Sequence, residues 1–420
     1  MADAQNGNRT IVVAGGGIAG LSAAVEAAEV GFNVILVERE PFLGGRVARM
    51  NKYFPKLCPP QCGLEINFRR IRSNPLIRVM TMSEVEKIEG ESGNFTVEIR
   101  VNPRYVNEKC TACAKCSQAA KTEVSNPFNY GLSTVKAAYL PHEFAYPMRY
   151  VIAPEIIGTP EAKAIEAACD YGAVELDMAP RTVTVKAGAI IWATGWVPFD
   201  TSSISYYGAG KYRNVVSNVV MERLASANGP TRGIISRPSD GKPVKKIAFV
   251  QCAGSRDENN LPYCSGVCCL ASLKQATYLL DQDQEASVSI FYIDIRALGR
   301  YEAFFNKVRE DERVTLVKGK AGEITESPET GMVSVQVEDQ ATGKILRDDF
   351  DLVVLAAGMV PSTAREKIPA EAAYDQAGFF LRGNTPGIIG AGCVRSPADV
   401  SSSIQDATAA VLRAIQACRR

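Results

Sequence analysis

An α/β fold with two dinucleotide-binding domains is predicted by three features of this sequence. Residues 10–38, TIVVAGGGIAGLSAAVEAAEVGFNVILVE, read as a buried strand, a glycine loop, an Ala-rich helix and a second buried strand, a complete βαβ unit. The pattern Ala-x-Gly-x-x-Pro closes a buried strand twice, in IIWATGWVP (190–198) and LVVLAAGMVP (352–361), as expected where a chain leaves one domain and returns to it. Between these, KKIAFVQ (245–251) reads as the first strand of a second nucleotide domain.

In the first unit, Gly15 permits the tight turn after the strand Ile11 to Ala14. Gly17 lets the backbone approach a pyrophosphate, and Gly20 lets helix and strand pack closely. The helix start offers free N–H groups to the anion. Glu38, 23 positions after Gly15, is placed to accept a ribose hydroxyl.

The second unit departs from this plan. After its strand the chain reads Cys252-Ala-Gly-Ser-Arg-Asp, so the third glycine and the free helix start are missing. VSIFYIDI (288–295) still reads as the next parallel strand, so the scaffold is expected without a nicotinamide site. NAD(P)H is therefore not expected as electron donor. SANGPTRGIISRPSDGKPVKK (226–246) reads as a flexible surface loop.

Composition narrows the chemistry. The 420 residues carry 47 Lys+Arg against 46 Asp+Glu, with no basic tract for nucleic acid or anionic lipid. The N-terminus lacks the order of a secretory signal and no uninterrupted apolar run is long enough to span a bilayer, so the chain reads as cytoplasmic. The single histidine, His142, argues against histidine-ligated zinc or haem and against ordinary histidine acid–base work. Twelve cysteines, mostly clustered at short spacings, point to metal or redox chemistry.

Three cysteine constellations stand out. Cys110-x-x-Cys113-x-x-Cys116 matches the first three thiolates of a bacterial ferredoxin run, but the fourth position is Ala120. In two-cluster ferredoxins the fourth cysteine of each run serves the other cluster, and Cys169 has the look of such a fourth position. The three positions that would precede it, Thr159, Ala162 and Ile165, are not cysteines. Two readings stand for this set: one [4Fe–4S] site on Cys110, Cys113, Cys116 and Cys169, or a decayed insert whose thiols are structural or bind zinc. The second set, Cys252, Cys264, Cys268 and Cys269, offers four soft thiolates that select iron–sulfur or zinc. Its alternative is buried free cysteines at a helix start. Cys58 and Cys62, in FPKLCPPQCG, read either as a redox pair or as structural and partner-contact residues, and Cys418 reads as incidental.

Several segments carry resemblances. PFLGGR (41–46) resembles the segment that closes over the flavin's pyrophosphate in FAD flavoproteins of the thioredoxin reductase type. That implies cofactor contacts at Arg39, Gly44, Gly45 and Arg46, and at Ala193, Thr194 and Gly195 in the first crossing. GIIGAGCVRSPADVSSSIQDATAAVLRAI (387–415) resembles the last strand and helix of such proteins, which implies further contacts at Gly392, Cys393, Val400 and Ser401. Cys393 stands where many relatives carry an Asp, which puts the usual contact to the ribityl chain in question.

GGRVARMNKYFPKLCPPQCG, the segment through KCTACAKC, and QCAGSRDENNLPYCSGVCC together resemble the A subunits of heterodisulfide reductases. The resemblance implies an iron–sulfur cluster on Cys252, Cys264, Cys268 and Cys269, FAD in the first domain and a ferredoxin-like insert. The depleted insert, the start of the chain at the FAD strand and CPPQCG look most like the A subunits of quinone-interacting membrane-bound oxidoreductases of sulfate reducers. Such a protein docks on two sister subunits, one with a second flavin and iron–sulfur centres and one with haem b in the membrane, and passes electrons between menaquinol and adenylylsulfate (APS) reductase. The location implied is cytoplasmic, held at the inner membrane by partners. The cofactors implied are FAD and one [4Fe–4S] cluster, or two if both cysteine sets are loaded. The competing readings are a flavoprotein scaffold with vestigial metal sites and a heterodisulfide reductase-like electron-bifurcating subunit.

The expected organisation is a first part of the FAD domain at 1–100, a degenerate ferredoxin-like insert at 101–180 and an FAD-domain crossover at 181–200. A degenerate NAD(P)-like domain follows at 201–349, and the last FAD-domain part at 350–420.

Overall fold

The computed structural model describes residues 9–54, 57–297, 299–381 and 385–418. The chain divides into two compact units. The first comprises Met1–Trp196, Pro361–Ser396 and Val400–Arg420; the second comprises Val197–Val360 with Pro397–Asp399.

The first unit is organised by a five-stranded parallel sheet in the order Ile388–Gly390, Ala189–Trp192, Thr10–Ala14, Asn33–Glu38, Ile77–Thr81. Its strands are short apolar runs because both faces are covered. Helices Ile18–Glu29 and Val400–Cys418 pack on one face around Leu21, Val25, Ala407 and Val411, and the other face holds Val12, Val37, Ile190 and Phe95. A three-stranded antiparallel sheet, Arg181–Ala187, Asn94–Val101 and Ser83–Glu91, completes this layer.

Residues 101–180 lie within the first unit and build a small core of their own from Val106, Cys116, Ala138, Ile152, Ile156, Ala162, Ile165 and Val174. Helix Pro160–Ala167 is capped by the Thr159 hydroxyl, which accepts from the Ala162 amide. The positions where a second ferredoxin run would carry cysteines are thus a helix cap, Thr159, and two fully buried core residues, Ala162 and Ile165.

The second unit repeats the plan. A five-stranded parallel sheet runs in the order Val215–Ser217, Leu352–Ala357, Lys246–Ala253, Ser287–Tyr292, Val314–Lys318, beside an antiparallel sheet of Ala321–Glu326, Val333–Asp339 and Lys344–Phe350. Strand Leu352–Ala357, placed by the sequence reading at the start of the last FAD-domain part, pairs here with Val215–Ser217 and Lys246–Ala253. The return crossing therefore falls at Val360 and Pro361. Residues 226–246 are also not the loose surface loop expected: Ile235 and Arg237 are buried, and Arg237 pairs with Asp240 and with Asp351. Among the described residues no helix is long and apolar enough to cross a membrane.

Candidate functional site

The glycine loop of the first unit is shaped for an anion. Gly15, at φ +105°, is close enough to the Ala193 backbone that a side chain there would collide with its carbonyl. A Cβ on Gly20 would overlap the Gly15 carbonyl oxygen. At Gly17, by contrast, an added Cβ meets nothing within 4 Å, so open space begins at the point where the helix starts. Gly17 caps that helix with no side-chain hydrogen bond, which leaves the N–H groups of the first turn to a ligand.

Gly44 and Gly45 close on this loop from the other side. Gly44 donates its N–H to the Gly16 carbonyl at 2.8 Å, and a Cβ on Gly45 would lie 2.9 Å from Gly17 Cα. Glu38, 9% exposed, accepts the Gly16 amide at 2.6 Å on one carboxylate oxygen and the Glu40 amide at 2.8 Å on the other. Burial pushes its pKa up to about 7, and the two amides only partly offset that. A buried carboxyl with spare lone pairs at the edge of a phosphate cradle suits a ribose hydroxyl donor. These features fit a dinucleotide.

Arg46 reaches across to the first crossing. Its Nε donates to the Trp196 carbonyl at 2.6 Å, its guanidinium stacks 4.6 Å from the Trp196 ring centroid, and Nη1 meets the Tyr130 hydroxyl at 3.4 Å. Burial is the main force lowering its pKa. Ala193 donates to the Ala14 carbonyl at 2.7 Å, the Thr194 hydroxyl shares a hydrogen bond with Ser362, and an added Cβ on Gly195 would meet nothing within 4 Å. Gly392 donates its N–H to Asp406 at 2.8 Å, so a carboxylate from the last helix stands beside this turn although residue 393 is a cysteine. Cys393 is buried with its thiol near the Ser403 hydroxyl, and Val400 and Ser401 open that helix, both half-buried. Arg39 is engaged in an exposed ion pair with Glu366 rather than turned to the cradle. Tyr130, Trp196 and Asp406 were not among the residues the sequence singled out.

Cys110, Cys113, Cys116 and Cys169 line one recess, together with Val106, Tyr150 and Val174. It holds about 310 Å³ of empty space, part of it continuous with solvent. Ala112 and Ala114 adopt the left-handed conformation, at φ +58° and +69°, which wraps the loop around the recess. Holding two alanines there costs roughly 1–2 kcal/mol each. The Cys169 sulfur accepts the Ala173 amide at 3.3 Å. Burial pushes Cys116 up to about 11, and Cys110, Cys113 and Cys169 each push in the same direction, the mark of four thiols sharing one site.

The second set forms around an irregularity in strand Lys246–Ala253, whose register shifts between Val250 and Ala253. Cys252 sits there at φ +55° and is buried. Cys268 and Cys269 open the helix Cys268–Gln282, where the helix dipole favours thiolates. Cys264 is half-buried, and its sulfur accepts the Gly266 amide at 3.3 Å. Cys268 points to the Ala357 carbonyl and Cys269 to the Asp294 carbonyl, each at 3.7 Å. Burial raises Cys252 to about 11 and Cys268 to about 12, with neighbouring thiols of the set adding to each. Two buried hydroxyls belong to the same region: Ser255, whose amide donates to the Cys252 carbonyl, has an orphaned Oγ, and the fully buried Tyr207 is held protonated chiefly by burial, with Tyr206, Asp257 and Cys252 adding to it.

Such donors suit cluster sulfides, and four soft thiols per set suit iron. Among the described residues no three Cys, His, Asp or Glu groups close on a point as one bound ion requires. A four-iron cluster spreads its thiolates over a cube and asks for a wider ring. Cys58 and Cys62 are free thiols, half-buried and exposed, and the Tyr53 hydroxyl is hydrogen-bonded with Cys58.

Comparison with known proteins agrees with the cradle. Residues 10–55 match the family described as FAD dependent oxidoreductase. The chain is 38% identical over 424 residues to the iron-sulfur A2 subunit of the CoB–CoM heterodisulfide reductase of Methanopyrus kandleri, covering 98% of this chain and 64% of that protein. It is 34% identical over 419 residues to the A subunit of the H(2):CoB-CoM heterodisulfide,ferredoxin reductase of Methanothermobacter marburgensis, covering 96% and 63%. The chain thus spans less than two thirds of either relative's length. Among solved structures, thioredoxin reductase of T. acidophilum shares the fold at a TM-score of 0.54 and 15% identity, covering 98% of this chain and all of that one.

Proposed function

From its homology with heterodisulfide reductase A subunits along nearly its whole length, we propose that this chain is an FAD and iron–sulfur electron-transfer subunit of a multi-subunit oxidoreductase. The observation that carries the reading is the pairing, in one chain, of a dinucleotide cradle with two gathered sets of four thiols. Bound FAD exchanges electrons in pairs or singly and iron–sulfur clusters pass them singly, which is the chemistry these groups supply.

The chain's own residues hold and tune. Gly15, Gly17 and Gly20 admit the pyrophosphate to the helix start, Glu38 takes the ribose, and Gly44, Gly45 and Arg46 close the cradle. Each cysteine set must give up protons on loading, since burial holds Cys116 in one set and Cys252 and Cys268 in the other protonated at neutral pH until a metal displaces the protons. The second unit presents thiols where a nicotinamide site would need glycines, so NAD(P)H is not the donor.

At the finer level, the complex is of the quinone-interacting kind, moving electrons between menaquinol and APS reductase. Its partners are two sister subunits, one with flavin and iron–sulfur centres and one a haem b membrane protein, and they hold this chain at the cytoplasmic face of the inner membrane. The loss of one ferredoxin run, leaving the Cys110 set with Cys169, supports this choice. A second reading, an electron-bifurcating heterodisulfide reductase subunit, is favoured by the relatives' names. In the intact complex, reduction by a menaquinol analogue supports the first reading, and reduction only in the presence of ferredoxin supports the second. Rapid bleaching of the flavin by stoichiometric NADH would count against both, and absence of iron and acid-labile sulfide after anaerobic purification would leave a scaffold.

A further inference from the structure

Arg104 is 5% exposed, and every hydrogen bond of its guanidinium goes to a neutral acceptor. Nε donates to the Tyr150 carbonyl at 3.0 Å, Nη1 to the Thr81 hydroxyl at 3.0 Å, and Nη2 to the carbonyls of Pro41 at 2.7 Å and Arg149 at 3.1 Å. Among the described residues no carboxylate bonds it. Arg149, a charged neighbour that acts on Arg104, is itself a cation whose partner is the exposed Glu108. Burial lowers Arg104 to about 9, which still leaves it charged at neutral pH.

A buried, uncompensated cation is expensive, and its cost falls only if an anion lies nearby. One site qualifies. Tyr150, whose carbonyl Arg104 holds, lines the recess of Cys110, Cys113, Cys116 and Cys169, and Cys110 is a group whose charge favours the charged guanidinium. Four thiolates around an iron–sulfur core of two positive charges leave a net negative group, and reduction makes it more negative. The Pro41 carbonyl, which accepts from Nη2 of Arg104, begins the segment that closes the flavin cradle.

We propose that Arg104 is the fixed counter-charge of an iron–sulfur cluster on Cys110, Cys113, Cys116 and Cys169, raising its reduction potential while tying the cluster's wall to the flavin loop. The inference rests on the cluster reading above and acts through electrostatics, with no contact to the cluster required.

The test is a redox titration, followed by electron paramagnetic resonance, of anaerobically isolated protein, with the signal of this site assigned as the one Cys110→Ser removes. Arg104→Gln should lower the equilibrium constant for reduction at least tenfold, about 59 mV for one electron, while the signal assigned to the Cys252 set stays put. Arg104→Lys, which keeps the charge, should restore most of the shift. Thr81→Asp places a carboxylate against Arg104 without removing it and should move the potential downward as well, so it decides the matter if Arg104→Gln folds poorly. Equilibrium constants for reduction within twofold of wild type in Arg104→Gln and Thr81→Asp, or a lysine variant shifted as far as the glutamine one, would overturn the counter-charge role while leaving the cluster intact. A wild-type protein with no signal that Cys110→Ser removes would overturn both this inference and the cluster reading at that site.

Discussion

With Glu38 as the ribose acceptor, flavin binding is expected to be a proton-linked reaction. In the flavin-free protein its carboxyl is moved from 4.5 to about 7, chiefly by burial. At about 1.4 kcal/mol per pKa unit, that displacement is worth about 3 kcal/mol. The folded pKa lies above the unfolded one, so the contribution to stability is complete below pH 4.5 and is lost as pH rises through 7. A ribose hydroxyl donating to the carboxylate favours the charged form and reverses the shift. Flavin binding should therefore expel a proton, and affinity should climb by up to about tenfold per pH unit between about pH 5 and pH 7, roughly a hundredfold in all. Glu38→Gln cannot titrate, and it sets an amide donor against the Gly16 or Glu40 N–H. Its affinity should be flat with pH and, near pH 8, weaker by about 1.5–3 kcal/mol, the worth of a hydrogen bond to a charged group. Flavin fluorescence titration of the apoprotein at several pH values measures both quantities. A wild-type dissociation constant that changes less than threefold over this window, or a glutamine variant with the wild-type slope, would refute the assignment of Glu38 to the ribose.

Two pairs of substitutions probe other contacts of the fold. Gly17→Ala should fold with near wild-type stability, because its Cβ meets no protein atom, yet lose flavin affinity by about tenfold or more as the methyl occupies the cradle; Gly20→Ala, driven into the Gly15 carbonyl, should fail to load flavin and lose several kcal/mol of stability, read by thermal unfolding. Lys274 and Glu222 form an ion pair of 2.9 Å whose side chains are 5% and 8% exposed, so Lys274→Met should cost about 3–5 kcal/mol by chemical denaturation. Adding Glu222→Gln should recover most of that, since the amide oxygen still accepts from Gln275 and the amide nitrogen can donate to the Tyr278 hydroxyl.

What could be read from the sequence was local. The glycine loop and Glu38 belong to one βαβ unit, and Cys110, Cys113 and Cys116 fall within seven residues, so spacing alone exposed them. Cys169 was recoverable only through the logic of shared ferredoxin ligation, and the recess that gathers it with the other three comes from a separate helix and turn. Strand Leu352–Ala357 was assigned to the wrong sheet because a strand buried on both faces reads alike in either. Residues 226–246 looked like a loop because they are rich in Gly, Pro and Ser, yet Arg237 anchors them through Asp240 and Asp351. Tyr130 and Trp196 at Arg46, Asp406 at Gly392, and Arg104 behind the cysteine recess are contacts across long stretches of chain, and no motif announces them.

Both thiol sets are proposed to hold iron. Diffraction data collected on either side of the iron absorption edge from anaerobically grown crystals test it directly. Iron anomalous density enclosed by Cys252, Cys264, Cys268 and Cys269, and a second peak enclosed by Cys110, Cys113, Cys116 and Cys169, is the result expected. Eight ordered thiols with no iron signal among them, or a zinc edge in its place, would contradict it.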